Sequence, residues 1–248
     1  MIEPLIGAGA GLIAGSFLAA IVTRWPRGEG VLHGRSHCDG CERTLSARDL
    51  VPVLSWALAG GRCRTCGSAI DPVHPIMEGG CALIGAAAFA LAPLFPAGVL
   101  ALGGWMLLAL ALLDWRYHWL PDGLTLPFAA LGLTLGEWVG LPLFVDRAIG
   151  AAMGYGALFL IALVYRMTRG REGLGLGDAK LLGGIGGWLG WAALPIVLLV
   201  ASVGGLVWAG IAAMRGHSVH ATTALPFGTF LCLAVVPAAW VAGLLGLL

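Results

Sequence analysis

Long apolar runs separated by short polar connections dominate the pattern along this chain. They fall at roughly 5–23, 76–95, 97–113, 123–140, 147–165, 179–191, 193–214 and 224–247. A helix needs about 20 consecutive apolar residues to cross a bilayer, so the pattern predicts an all-α polytopic membrane protein of about eight transmembrane helices. The sixth run is short, and its GGIGGWLGW string predicts an irregular or tilted segment. The one extended polar stretch, 24–75, lies between the first and second runs. The expected organisation is therefore a first transmembrane helix at 1–23, a small cytosolic domain at 24–75 and a transmembrane bundle at 76–248. Met1 to Ala20 reads as a retained helix and not a signal peptide, because Glu3 stands where a basic residue is expected and the apolar run continues to Val22.

Composition strengthens this picture. The 248 residues are 59% hydrophobic and 11% charged, too little polar surface for a soluble domain. Forty glycines suit close helix packing inside a membrane. The net charge of +1 says little about partners; the lipid bilayer is the expected surrounding, and no nucleic acid is expected.

Charge placement sets the orientation. With the polar stretch in the cytosol, Arg24, Arg27, Arg35, Arg43, Arg48, Arg62, Arg64, Arg116, Arg166, Arg169, Arg171, Lys180 and Arg215 all fall inside. Only Arg147, of the fourteen basic residues, falls outside. The positive-inside rule then places both termini outside. The same assignment puts Asp114 and Asp178 at the cytosolic boundary, one ending a helix and the other starting one.

The polar stretch carries Cys38-x-x-Cys41 and Cys63-x-x-Cys66. Each pair can present two thiolates to one metal, and together they complete a tetrahedral site. Four soft ligands with no open position suit a structural Zn2+. Cytosolic placement argues against disulfides in their place. A domain of about fifty residues is too small to fold on its core alone, and metal binding supplies the missing energy. Gly40 and Gly67 fit tight knuckle backbones, and His33, His37 and His74 flank the module without being needed as ligands. The apolar segment Val51 to Leu58 is expected to dock on the membrane surface or on the helices. Cys81 and Cys232 lie within apolar runs and read as small buried side chains.

Carboxylates at a bilayer boundary are costly to desolvate and are usually kept for a task. Peptide hydrolysis by two carboxylates needs one ionised, to take a proton from water, and one protonated, to polarise the scissile carbonyl. Crowding the two lets them share a single proton. Asp114 and Asp178 are the candidates, and only packing of their helices can unite them. Asp178 follows Gly175-Leu176-Gly177 in the string GLGLGDAKLLGG. Those glycines would let the backbone leave helical geometry and let a peptide approach, while an ordinary helix N-cap is the equal alternative for Asp178. Asp122, in Pro121-Asp122-Gly123, reads as a turn and cap that ranks behind Asp114 as a catalyst, with orienting or tuning the site as the alternative. Lys180 either influences Asp178 or snorkels to the interface. Glu78 reads as a boundary acid satisfied by an arginine, with a binding role as the alternative.

Taken together, these strings resemble the type IV prepilin peptidase family, within the GxGD class of membrane aspartyl proteases. The resemblance runs from GSFLAAIVTRWP (Gly15 to Pro26) through CDGC, LVPVLSW, GRCRTCGSAI and HPIMEG. It resumes at LLDWRYHWLPDGLTLP and GLGDAKLLGGIGGWLG and ends with LPFGTFL (Leu225 to Leu231). It implies that Asp114 and Asp178 are the catalytic aspartates and that the substrate is the leader of a type IV prepilin or type II secretion pseudopilin, whose apolar helix is the partner. It further implies residence in the bacterial inner membrane. Members with four such cysteines are typically bifunctional and methylate the new N-terminus from S-adenosylmethionine. The chain departs from the family's usual pattern at Ala19, where Asn is common, at Asp39, in the place of a proline, and at His74-Pro75, in the place of Tyr-Pro.

Two other classes fit less well. In an ion-coupled transporter the carboxylates usually lie near the bilayer midplane, not at one face. A zinc protease needs an open coordination position, which four cysteines deny.

Overall fold

The computed structural model describes residues 2–31, 35–170, 175–216 and 225–247; His33, Arg171, Gly173 and Leu174, singled out above, lie outside them. The protein is all-helical, as expected. Its helices are α1 (Glu3–Arg24), α2 (Leu54–Leu58), α3 (Val73–Leu91), α4 (Leu94–Tyr117), α5 (Asp122–Leu135), α6 (Phe144–Arg169), α7 (Leu176–Leu189), α8 (Leu194–Met214) and α9 (Phe227–Leu244). Among the described residues, β-structure is limited to isolated bridges.

Each of the eight apolar runs forms a helix, and six of these helices are long and apolar enough to cross a membrane: α1, α3, α4, α6, α8 and α9. This is a multi-pass membrane protein. The other two, α5 and α7, have 14 residues each, about 21 Å at 1.5 Å per residue against a hydrocarbon core of about 30 Å. Both lengths have local causes. Helix α5 begins after Pro121 and tightens into a 3-10 turn, Gly136–Val139, that ends at Gly140 with φ 72°. Helix α7 ends at Gly190, whose φ of 76° and ψ of 174° are open essentially to glycine alone.

The chain divides into two compact units, Met1–Ala109 and Leu110–Leu248, the division falling within α4. In the first unit, α1 and α3 meet along a glycine seam. Gly7, Gly11 and Gly15 repeat every four residues and so line one face of α1. A Cβ on Gly7 or Gly11 would strike the carbonyls of Gly85 and Cys81, and one on Gly15 would lie 2.6 Å from Glu78 Cα. Small residues at this spacing let helix backbones touch where no hydrophobic effect drives association. Trp105 of α4 donates its indole N–H to the Cys81 carbonyl at 2.8 Å.

In the second unit α7 is the core element, with every residue from Asp178 to Leu189 buried except Lys180. A helix apolar on nearly all sides needs neighbours all round, and α5, α6 and α9 supply them. Phe128 of α5 stacks on Trp188 at 5.5 Å, and the Trp188 indole N–H donates to the Phe128 carbonyl at 2.9 Å. Gly150 and Gly154 of α6 lie against the α7 backbone at Gly186 and Leu182.

Arg147, the one basic residue outside the charge asymmetry, is fully buried. Its guanidinium donates to the carbonyls of Gly132, Leu133 and Pro142. It thus closes the C-terminus of α5, where unpaired carbonyls favour a cation. By contrast, Leu160 and Val164 of α6 and Leu199 and Leu206 of α8 are exposed, as side chains facing lipid are.

Candidate active site and metal centre

Asp114 lies in the last turn of α4 and Asp178 in the first turn of α7, and both are buried, at 5% and 9% exposure. Packing brings the two side chains together at Gly228, the second residue of α9. A methyl group built on Gly228 would lie 3.0 Å from Asp178 Oδ1 and 3.1 Å from Asp114 Cγ. The two carboxyls therefore flank a gap that a single carbon would touch on both sides.

Helix α9 supplies the donors. Thr229 gives its backbone N–H to Asp114 Oδ2 at 2.7 Å, and its Oγ1 lies 3.1 Å from the same oxygen and 2.9 Å from the Ala111 carbonyl. A hydroxyl has one hydrogen, so it serves one of these two acceptors at a time. Sequence reading did not single out Gly228 and Thr229. Their signal was a Gly-Thr pair directly after Pro226 and Phe227, where a helix starts and its first N–H groups lack partners.

Of the glycines before Asp178, Gly175 leaves helical geometry as expected, and Gly177 does not. Gly175 itself is the N-cap of α7, with an ordinary extended backbone at φ −71° and ψ 139°. Asp178 is the third residue of the helix, and no side-chain cap bond forms there, which removes the N-cap reading. Gly177 lies inside the helix and is required by packing, since a Cβ there would meet Leu120 Cβ at 2.9 Å. Lys180 pairs with Asp122: its Nζ lies 2.6 Å and 2.8 Å from the two carboxylate oxygens. Asp122 opens α5, so this pair ties the starts of α5 and α7.

The candidate metal centre lies in the first unit. The sulfurs of Cys38, Cys41, Cys63 and Cys66 all lie within 4.8 Å of one another, with Cys38 and Cys66 Sγ at 3.8 Å. A tetrahedron with Zn–S bonds of about 2.3 Å has an edge of about 3.8 Å, so the cluster fits a single zinc ion, and all four cysteines are free of disulfides. The two knuckles repeat one design. Cys38 N–H donates to the Arg43 carbonyl at 2.9 Å, and Cys63 N–H to that of Ser68 at 2.8 Å. Four residues beyond the first cysteine, each turns through positive φ, at Glu42 (55°) and at Gly67 (71°). Gly67 has the expected role. Gly40 is instead a packing glycine, because a Cβ there would lie 2.6 Å from Ser68 Oγ. The Ser68 hydroxyl and the Gly40 N–H draw the Cys38 thiol down, and the N–H groups of Cys66 and Thr65 push that of Cys63 down to about 6. These two shifts favour the thiolates a metal needs, whereas burial and the Cys66 thiol push that of Cys41 up to about 11.

Around the centre, carboxylates pair with the module's own arginines: Asp49 with Arg43 at 3.1 Å, and Asp39 with Arg27 at 3.5 Å. Glu78 departs from expectation. Among the described residues its partner is the Val53 backbone N–H at 2.6 Å, in place of an arginine, and this bond docks the Val51–Leu58 segment onto α3.

Comparison with known proteins identifies the family. A model described as the bacterial peptidase A24 N-terminal domain matches residues 10–92, and one described as the type IV leader peptidase family matches residues 101–210. A prepilin leader peptidase/N-methyltransferase of Aeromonas hydrophila is 39% identical over 214 residues, covering 86% of this chain and 72% of that protein. One from Pseudomonas putida is 37% identical over 263 residues, covering 95% and 88% respectively, and one from Klebsiella pneumoniae is 39% identical over 204 residues, covering 78% and 88%. No solved structure matches at a significant level. With these relatives matched over most of their own length at this identity, and the two family models together spanning most of the sequence, the chain belongs to the type IV leader peptidase family.

Proposed function

We propose that this protein cleaves the leader peptide of type IV prepilins or type II secretion pseudopilins through the Asp114–Asp178 pair, and then methylates the new N-terminal amine. The observation that carries the hydrolase assignment is the meeting of both carboxyls at Gly228. Two carboxyls this close share one proton. The ionised member takes a proton from water as its oxygen attacks the scissile carbonyl, while the protonated member donates a hydrogen bond to the carbonyl oxygen. The proton taken from water then passes to the departing amide nitrogen as the C–N bond breaks, and the pair returns to its starting state. Thr229 holds Asp114 in one orientation throughout and is a positioning residue. The names of the relatives from Aeromonas hydrophila and Pseudomonas putida support both the substrate and the second activity.

In this reading the protein resides in the bacterial inner membrane, with the four-cysteine module and both aspartates on the cytosolic side. Thirteen of fourteen basic residues support that orientation, and the exception, Arg147, is occupied as a buried helix cap. A prepilin presents an apolar helix in the bilayer and a basic leader in the cytosol, so its scissile bond reaches the boundary where the aspartates lie. Zinc serves as a structural staple. S-adenosylmethionine, the donor expected for methylation, supplies an electrophilic methyl group on a sulfonium sulfur. The ion-coupled transporter reading has no comparable support.

The test is incubation of purified protein with a prepilin, read by mass for leader loss and for a methyl gain. Asp114→Asn and Asp178→Asn are each expected to lower cleavage by about three orders of magnitude or more while still inserting in the membrane. Substantial cleavage by either variant would remove the dyad assignment.

A further inference from the structure

Helix α2 has two unlike sides. Ser55 and Trp56 turn towards the rest of the polar domain. The Ser55 hydroxyl donates to the Asp49 carbonyl at 2.9 Å, and the Trp56 ring lies over Gly61, where a Cβ would meet it at 3.2 Å. Leu54 and Leu58 are four residues apart and so share the other face; they are 55% and 73% exposed. Leu50 and Val51, in the turn that leads into the helix, are exposed as well. Four large apolar side chains uncovered on one short stretch of a polar domain mark an interaction surface.

One hydrogen bond sets the level of this surface in the membrane. Helix α3 has 19 residues, a length of about 28 Å that matches the hydrocarbon core of about 30 Å. Val73 therefore marks one edge of the core. Glu78 is one and a half turns further in, and its carboxylate stays within about 7 Å of that edge. It accepts the Val53 N–H at 2.6 Å, and Val53 directly precedes α2. The start of α2 thus lies in the layer where amphipathic helices rest, their apolar faces about 5–10 Å into the headgroup and acyl boundary. Its pose is fixed, because Val53 adopts φ 60° and ψ −49°, a conformation that β-branched residues rarely enter and that persists only where surrounding contacts over-determine it.

We propose that residues 50–58 form a lipid-docking face, which holds the four-cysteine module in the headgroup layer of the membrane by inserting Leu50, Val51, Leu54 and Leu58. At this level a side chain that protein leaves uncovered meets phospholipid, as Phe17 of α1 and Leu83 of α3 do on the same unit. The flanking charges complement that partner. Arg48 precedes the stretch and Arg62 follows it, both exposed, and arginines in such positions run their stems along the apolar boundary and pair with anionic headgroups. This assignment does not depend on which reaction the protein carries out.

The experiment is photocrosslinking of the full chain in nanodiscs of phosphatidylethanolamine and phosphatidylglycerol. The photoreactive residue p-benzoylphenylalanine replaces Leu54, Leu58 or, as the control, Glu29, which is exposed beyond the end of α1. Intact mass after irradiation is expected to show phospholipid adducts at Leu54 and Leu58 at least about tenfold above those at Glu29. Adducts no more frequent than at Glu29 would overturn the proposal. Adducts to a second copy of the chain, or to prepilin added before irradiation, in place of lipid would overturn it too, by assigning the face to protein. A second measurement follows amide exchange over residues 50–58. The double variant Leu54→Gln, Leu58→Gln is expected to exchange about tenfold faster than wild type in nanodiscs, with unchanged zinc content reporting an intact module. Exchange as slow as in wild type would count against lipid docking. Where the double variant loses zinc, the crosslinks in the otherwise wild-type chain decide.

Discussion

Thr229 donates its backbone N–H to Oδ2 of Asp114 at 2.7 Å across 115 residues of sequence. That N–H is the third of α9 and belongs to the first four amides of a helix, which have no intrahelical partner. The relationship is reciprocal. The Asp114 carboxyl satisfies an orphan donor of α9, and α9 fixes the rotamer of Asp114. The Thr229 hydroxyl, within reach of both Asp114 and the Ala111 carbonyl, locks α9 to the last turns of α4. The start of α9 is thus an anion-seeking element placed against both carboxyls.

The hydroxyl and the N–H can be separated by mutation. Thr229→Val keeps the backbone donor and the side-chain shape but removes the hydroxyl. We expect the turnover number for leader cleavage to fall about 10- to 100-fold, the range of one to two hydrogen bonds to a buried or charged group, with KM for the prepilin little changed. Thr229→Ser is expected to recover most of the activity. Equal losses in Ser and Val variants would mean that packing, not the hydroxyl, matters at this position.

Gly228 leaves no room for a side chain. A Cβ would lie 2.7 Å from Leu120 Cδ1 as well as crowding both carboxyls. Leu120 can rotate aside, but the aspartates cannot both yield without opening the pair. Gly228→Ala is expected to cut cleavage about 100-fold, the cost of displacing reacting groups by an ångström. Gly175→Ala is the control: its Cβ would meet Asp178 Oδ2 at an ordinary 3.5 Å, and its backbone is one any residue adopts. Its effect on turnover is expected to be at least tenfold smaller.

This contrast shows which parts of the site sequence reading reached. The four cysteines are local pairs, and the spacing within each pair is itself the signal, so the cluster they form was legible. The aspartates stood out because a carboxyl beside an apolar run is rare. Gly228 and Thr229 were not legible as site residues because nothing local distinguishes a helix start that caps a distant carboxyl from one that caps itself. The Glu78–Val53 bond was missed for a similar reason, since it spans 25 residues and uses a backbone donor that no side-chain pattern records. Hydropathy located all eight apolar helices but not the shortness of α5, whose end is set by a 3-10 turn and a buried arginine cap.

The metal centre carries an expectation of its own. Elemental analysis of purified protein should find about one zinc per chain. Stripping it with a strong chelator should lower the thermal unfolding midpoint and loosen the polar domain to proteolysis between Arg35 and Asp71, because a domain this small has too little core to stand alone. Cys63→Ser should reproduce both effects. Full zinc occupancy in Cys63→Ser would show that the cysteines are not its ligands.

The Lys180–Asp122 pair is bidentate but largely exposed, with Asp122 57% accessible. Exposed pairs contribute about 0.2–1 kcal/mol. A double-mutant cycle with Lys180→Met and Asp122→Asn should give a coupling in that range for unfolding, shrinking as salt rises. Leader cleavage by Lys180→Met should stay within a few-fold of wild type. A loss approaching that of Asp178→Asn would move Lys180 into the catalytic machinery.

The glycine seam makes the sharpest demand on helix packing, because neighbouring glycines of α1 should behave in opposite ways. Gly11 lies against the Cys81 carbonyl, so the methyl of Gly11→Ala has backbone, not a mobile side chain, in its path. The helices must separate, at a cost of about 1–3 kcal/mol for overpacking. Gly9 lies half a turn away, and a methyl added there would have nothing within 4 Å. Replacing a helical glycine by alanine stabilises a helix by up to about 1 kcal/mol. Gly11→Ala should therefore lower, and Gly9→Ala hold or raise, the unfolding midpoint in detergent micelles. Equal behaviour of the two variants would mean that α1 does not meet α3 through this face.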